Sequence, residues 1–208
     1  RKTIKRKRIR HAVSFHATVA RAEAFRKSQA AFTEVFPSFG RLESFHVSGK
    51  TPTAVRAREI EDFAESKRAL ITNARCLTEG VDVPGIDCVL FADPKRSTVD
   101  IVQAVGRALR RAEGKKLGYV IVPIIRDNEI TDAEDLDESA FDTILMVLRA
   151  MASNDERIAE YFRSKAVGRN GGGGNGSGTV LEFTDIDVTQ FRESLELRLW
   201  SRLAKLSW

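Results

Sequence analysis

The order of apolar runs along the chain constrains the fold more than any other feature. Short apolar, β-branched runs recur at residues 11–16, 43–47, 69–72, 88–91 and 119–124, each about the length of a buried strand. Between them, residues 18–33, 53–66 and 98–109 carry apolar side chains three and four positions apart, the spacing that lines one side of a helix. All three of these stretches open with a threonine, in two of them placed to cap a helix, where its hydroxyl accepts from an unpartnered amide. Strands that alternate with helices are joined by crossovers and therefore run parallel. The pattern predicts an α/β fold, an open parallel sheet with helices on both faces, whose ligands sit at loops beyond the carboxyl ends of the strands.

A chain of 208 residues holds one well-buried domain and an additional piece. After the fifth run, two further helical patterns at 136–151 and 154–166 are suited to the flank of that domain. The run GRNGGGGNGSG, residues 168–178, then interrupts all regularity; such glycine and serine density cannot pack a core and predicts a flexible linker or disordered loop. Beyond it, residues 179–208 resume with a strand-like VLEF and an amphipathic FRESLELRLWSRLAKL. This tail is too short for a core of its own, so it either docks on the main domain or begins another. The expected organisation is a main domain over 1–167, a linker over 168–178 and a helical tail over 179–208.

The formal charge of +5 is unevenly placed. Seven of the 34 basic residues lie within the first ten positions, which leaves 27 against 29 acids elsewhere. Residues 127–142 hold eight acidic residues and no Lys or Arg, a stretch that must be solvated and would repel a phosphate backbone. What remains is mildly basic, compatible with contact to nucleic acid and equally with an ordinary solvated surface. No apolar run approaches the roughly 18 residues of a membrane-spanning helix, and the basic start is not followed by a signal-like apolar stretch. The chain opens without Met and reads as a piece of something longer. Cys76 and Cys88 form no CxxC spacing, and His11, His16 and His46 are not at metal-ligand intervals. A reducing cytoplasm and no structural metal are expected.

The segment richest in chemistry is QAVGRALR, residues 103–110. On a helix, Gln103, Arg107 and Arg110 project from one side, and Gly106 lets a neighbour's backbone approach. Two guanidinium forks and an amide on one surface suit phosphate, because a planar, permanently charged fork can hold two oxygens at once. The alternative is a solvated basic helix surface.

In context, this segment resembles the sixth motif, QxxGRxxR, of superfamily 2 helicases, and it implies that the chain is their second, C-terminal RecA-like domain. The resemblance implies that the helix faces ATP held by a first RecA-like domain. Arg110 would then be the arginine finger, Arg107 a second γ-phosphate contact, and Gln103 a group that positions the attacking water or senses the nucleotide. ALITNARCLTEGVDVPGID, residues 69–87, resembles the fifth motif of the same proteins. A strand ending in Thr72 and Asn73 would bring a hydroxyl and an amide to the sheet's functional edge, with Thr72 the main candidate for a backbone phosphate. Gly80 would lie near a phosphate of the nucleotide and Asp82 near its ribose, before Pro84 and Gly85 turn the chain into the next strand.

AVSFHATVARAEAF, residues 12–25, resembles the fourth motif, in which Ser14 or His16 would touch a phosphate; a structural role is the alternative for His16. The sequence Gly49-Lys50-Thr51 imitates the end of a phosphate-binding loop, but Ser44 stands where GxxxxGKT requires glycine. In relatives this loop ends a strand and caps a helix, so Ser48, Gly49 and Thr51 are assigned to nucleic-acid phosphate.

The resemblance covers residues 8–126 and is close to helicase-associated-domain proteins and restriction translocases. It implies a motor domain of an ATP-dependent helicase or translocase, inactive alone. ATP is the implied cofactor, with Mg²⁺ held mainly by the first RecA-like domain. Nucleic acid, DNA ahead of RNA, and that first domain are the implied partners. A non-catalytic nucleic-acid-binding module is the alternative from another class.

Overall fold

The computed structural model describes residues 2–74, 85–93, 98–110, 115, 117–123, 138–166 and 189–204. Five strands form one sheet: β1 (His11–Phe15), β2 (Glu43–Ser48), β3 (Ala69–Ala74), β4 (Cys88–Phe91) and β5 (Tyr119–Ile121). Their spatial order is β2-β3-β1-β4-β5, and every pair is parallel. Each of the five apolar runs at 11–16, 43–47, 69–72, 88–91 and 119–124 corresponds to a strand, and the strand-like VLEF, residues 180–183, lies outside the described residues. The helices of this part are α1 (Lys2–Arg6), α2 (Val19–Val35), α3 (Thr53–Glu65) and α4 (Thr98–Leu109).

The central strand β1 is buried at all five positions, because helices cover both sides of the sheet. Alternate residues divide the two faces. Ala12 and Ser14 face α2, whose Phe25 ring packs 4.9 Å from that of His16. His11 and Phe45 face α3, whose fully buried Phe63 lies 5.1 Å and 6.1 Å from their rings. α4 packs on β4 and β5 through Ile101, Ala104 and Val105, all at 0% exposure.

Thr18 caps α2 as its position predicts, its hydroxyl accepting from the Arg21 amide at 3.2 Å. Thr53 does not cap α3: Pro52 is the capping residue, and no side chain bonds to that end. The basic N-terminal stretch is structural in part. Ile4 and Ile9 are buried in a cluster with Ala12, Leu42, Leu70 and Cys88, and Lys5 Nζ donates to the Ser38 carbonyl at 2.6 Å. Gly85 has φ +72°, the left-handed backbone that favours glycine at the turn entering β4.

The chain divides into two compact units, residues 1–123 and 124–208. In the second, α5 (Glu138–Asn154), α6 (Glu156–Ala166) and α7 (Thr189–Ala204) pack in sequence, α6 against both others. Phe141, Phe162, Leu195, Leu199 and Leu203 form the buried side of these helices. Arg198 lies over the Phe141 ring at 4.0 Å and pairs with Glu138 at 2.5 Å, tying α7 to the start of α5. The two helices after the sheet thus group with the tail helix. The glycine run lies outside the described residues.

Candidate functional site

At the carboxyl edge of the sheet, His16 follows β1, Ser48 ends β2, Asn73 and Ala74 end β3, and Asp93 follows β4. The edge therefore gathers Ser14, His16, Ser48, Gly49, Thr51, Thr72 and Asn73 from three strands far apart in sequence.

Most of their side chains are turned inward. Thr72 is in register with Ser14 on one side and His46 on the other, so three strands contribute to one polar row under α2. Its hydroxyl donates to the Phe45 carbonyl at 3.2 Å and accepts from His46 Nδ1 at 2.9 Å, at 0% exposure. Beside it, Ser14 Oγ and His16 Nε2 are 3.0 Å apart, and both residues are buried. Burial pulls the His16 pKa below its ordinary value; Asp93 opposes this, and His46 and Arg21 add to it. His46 is lowered for the same first reason. Both rings are thereby held toward the neutral form, which can bond to a hydroxyl without a buried charge. In this arrangement the Thr72 hydroxyl serves the sheet rather than its surface.

Among the described candidates at this edge, the groups that reach solvent are those of the loop after β2. Gly49 and Lys50 are exposed, and nothing lies within 4 Å of where a Gly49 Cβ would stand. Ser48 and Thr51 close the turn on each other: the Ser48 amide donates to Thr51 Oγ1 at 3.0 Å, and the Thr51 amide donates to the Ser48 carbonyl at 3.0 Å. α3 follows without a side-chain cap, so amides of its first turn remain available to an acceptor.

Asp93 organises the loop after β1. Its carboxylate accepts from the Ala17 amide at 2.9 Å and from Arg21 Nη1 at 2.5 Å, fixing the end of β4 to the start of α2. Sequence inspection passes over Asp93, whose only local signal is its position just beyond a strand.

α4 carries the arginine segment. Gln103 and Arg110 are exposed, whereas Ile101, Ala104 and Val105 are buried on the sheet. Arg107 lies within α4, and its side chain is outside the described part, as are Gly80 and Asp82. The Arg110 amide still closes a helical bond on Gly106 at 3.0 Å. Because α4 begins after the end of β4 and runs back along it, Arg110 lies at the opposite, amino edge of the sheet. Lys115 marks the place: its Nζ donates to the carbonyls of Arg110 at 2.9 Å and of Ile86, which precedes β4, at 2.7 Å. The sheet thus separates the candidate phosphate-backbone residues from the arginine at the helix end.

A family model for the helicase conserved C-terminal domain matches residues 1–112, more than half of the chain. The chain belongs to this family. As a helicase C-terminal domain it has the RecA-like fold of superfamily 2 helicases. Among its relatives, "Probable helicase A859L" of African swine fever virus is 32% identical over 112 residues, 53% of this chain and 12% of that protein. "Putative mitochondrial ATP-dependent helicase irc3" of Schizosaccharomyces pombe is 41% identical over 68 residues, 33% of this chain and 11% of that one. Among solved structures, the ATP-dependent Type ISP restriction-modification enzyme LlaBIII bound to DNA aligns with a TM-score of 0.67 and 31% identity. That alignment covers 96% of this chain and 13% of the enzyme. The chain therefore spans a small part of each of these longer proteins.

Proposed function

We propose that this chain is the second motor domain of an ATP-dependent DNA translocase, which closes with a first RecA-like domain around ATP and steps along phosphates as the cleft opens. The observation that carries the reading is α4. One side is locked to the sheet by fully buried Ile101, Ala104 and Val105, while Gln103 and Arg110 stand exposed on a rigid support. A guanidinium held this way suits a terminal phosphate, which develops charge during transfer and is stabilised by a preorganised cation. Bound with Mg²⁺ in the partner domain, ATP would supply the phosphoryl group; this chain would supply Arg110, Arg107 and Gln103, with Gly80 and Asp82 toward the nucleotide. The loop Ser48–Gly49–Thr51 and the uncapped start of α3 would take a nucleic-acid phosphate at the other edge, supported by Ser14, His16, Thr72 and Asn73 behind it.

A narrower reading, that the translocase serves a restriction-modification enzyme, is favoured by the length of the LlaBIII alignment. It runs through 96% of the chain, past the 112 residues of the family match and into the helical unit. Residues 168–178 would then be a linker inside one motor, acting in a reducing cytoplasm where buried Cys88 stays a thiol.

The test is DNA-stimulated ATP hydrolysis by the full-length protein that carries this domain. Arg110→Ala should lower kcat by roughly three decades or more, as loss of an arginine finger does. Unchanged hydrolysis would remove Arg110 from the nucleotide.

A further inference from the structure

The last turn of a helix leaves carbonyls without intrahelical partners and tends to fray. Arg110 is the first residue beyond α4, so its side chain projects from that weak point. Here the turn is held from outside. Lys115 Nζ donates to the Arg110 carbonyl at 2.9 Å and to the Ile86 carbonyl at 2.7 Å.

The second anchor is itself immobilised. Ile86 is 3% exposed, and the carboxylate of the next residue, Asp87, accepts the amides of Arg10 at 2.9 Å and His11 at 3.0 Å where the central strand begins. One ammonium therefore ties the end of the arginine helix to the entry of β4, and through Asp87 to β1. Position and charge suit the task, because a cation is favoured at the carboxyl end of a helix dipole. Burial lowers the Lys115 pKa, and Asp87 opposes that loss.

We propose that Lys115 is a positioning residue for Arg110, fixing the helix end so that the guanidinium meets the nucleotide in one geometry. The inference rests on the reading of Arg110 given above. A shift of about 1 Å in a group that must meet a transition state can cost about a hundredfold in rate. Losing the ammonium should therefore act on turnover before it acts on binding.

The experiment uses the full-length protein, with ATP hydrolysis measured at saturating DNA for wild type, Lys115→Met, Lys115→Arg and Arg110→Ala. Lys115→Met is expected to lower kcat about ten- to a hundredfold, with the KM for ATP, DNA affinity and melting temperature close to wild type. Lys115→Arg, whose fork can reach two carbonyls, should restore most of kcat. If Lys115→Met does not fold, Lys115→Gln, which keeps a donor for one carbonyl, enters the same assay with the same expectation. An unchanged kcat, a parallel loss of kcat, DNA affinity and melting temperature, or failure of Lys115→Arg to rescue would each overturn the inference. Should Arg110→Ala retain full activity, the reading of Arg110 falls first; if Arg110→Ala is inactive while Lys115→Met is not, the positioning role alone falls.

Discussion

Replacing Thr72 by valine separates two roles that the same residue type can fill. Valine keeps the shape and removes only the hydroxyl, which in this fold donates to the Phe45 carbonyl and accepts from His46 Nδ1 at 0% exposure. Leaving buried hydrogen-bonding groups without a partner costs about 1–3 kcal/mol. The lower half of that range applies, because His46 is only half-buried and can turn toward water. For a unit of this size, a loss of about 1–2 kcal/mol lowers the melting temperature by roughly 3–10 °C. Thermal and urea unfolding of the 208-residue chain, followed by circular dichroism, reads this directly. A cycle with His46→Leu sharpens it: the double variant should be more stable than the two single losses predict, by about 1 kcal/mol, because the second change removes the group that the first stranded. A Thr72→Val chain with unchanged stability but weakened nucleic-acid binding would refute the reasoning and return Thr72 to the phosphate surface.

Two further outcomes are expected. Since burial lowers the pKa of His16 and His46 in the folded chain, the unfolded chain binds more protons as the pH drops past the ordinary histidine value of about 6.5. Stability from these two groups is thus full above that value and is lost as the pH falls toward the lowered folded values. Unfolding free energies measured across this window should slope less steeply in His46→Gln, and an equal slope would show that His46 does not contribute. Phe63→Ala removes a ring at 0% exposure that packs on His11 and Phe45, and should cost about 3–5 kcal/mol; a loss below about 1 kcal/mol would mean that α3 is not held by this contact.

Much of the fold is legible in the sequence because strands and helices leave local, periodic marks. The runs at 88–91 and 98–109 coincide with β4 and α4 at both ends, since a buried strand needs unbroken apolar side chains and a helix on a sheet needs them every third or fourth residue. The site is legible in part. QAVGRALR leaves Gln103 exposed on α4 and Arg110 exposed just beyond its end. Asp93 and Lys115 leave no comparable mark, because their partners at Ala17, Arg21 and Ile86 lie tens of residues away in the chain.

By itself, the sequence determined the parallel α/β architecture and the arginine helix, both consequences of side-chain periodicity within a few turns of chain. Only the tertiary structure decided that Thr72, between His46 and Ser14, faces inward, and that Lys115 holds the end of α4. It also decided that the phosphate-backbone candidates and Arg110 occupy opposite edges of the sheet. Those outcomes depend on register between strands and on donors meeting acceptors across the sheet, which arise only when distant segments pack together.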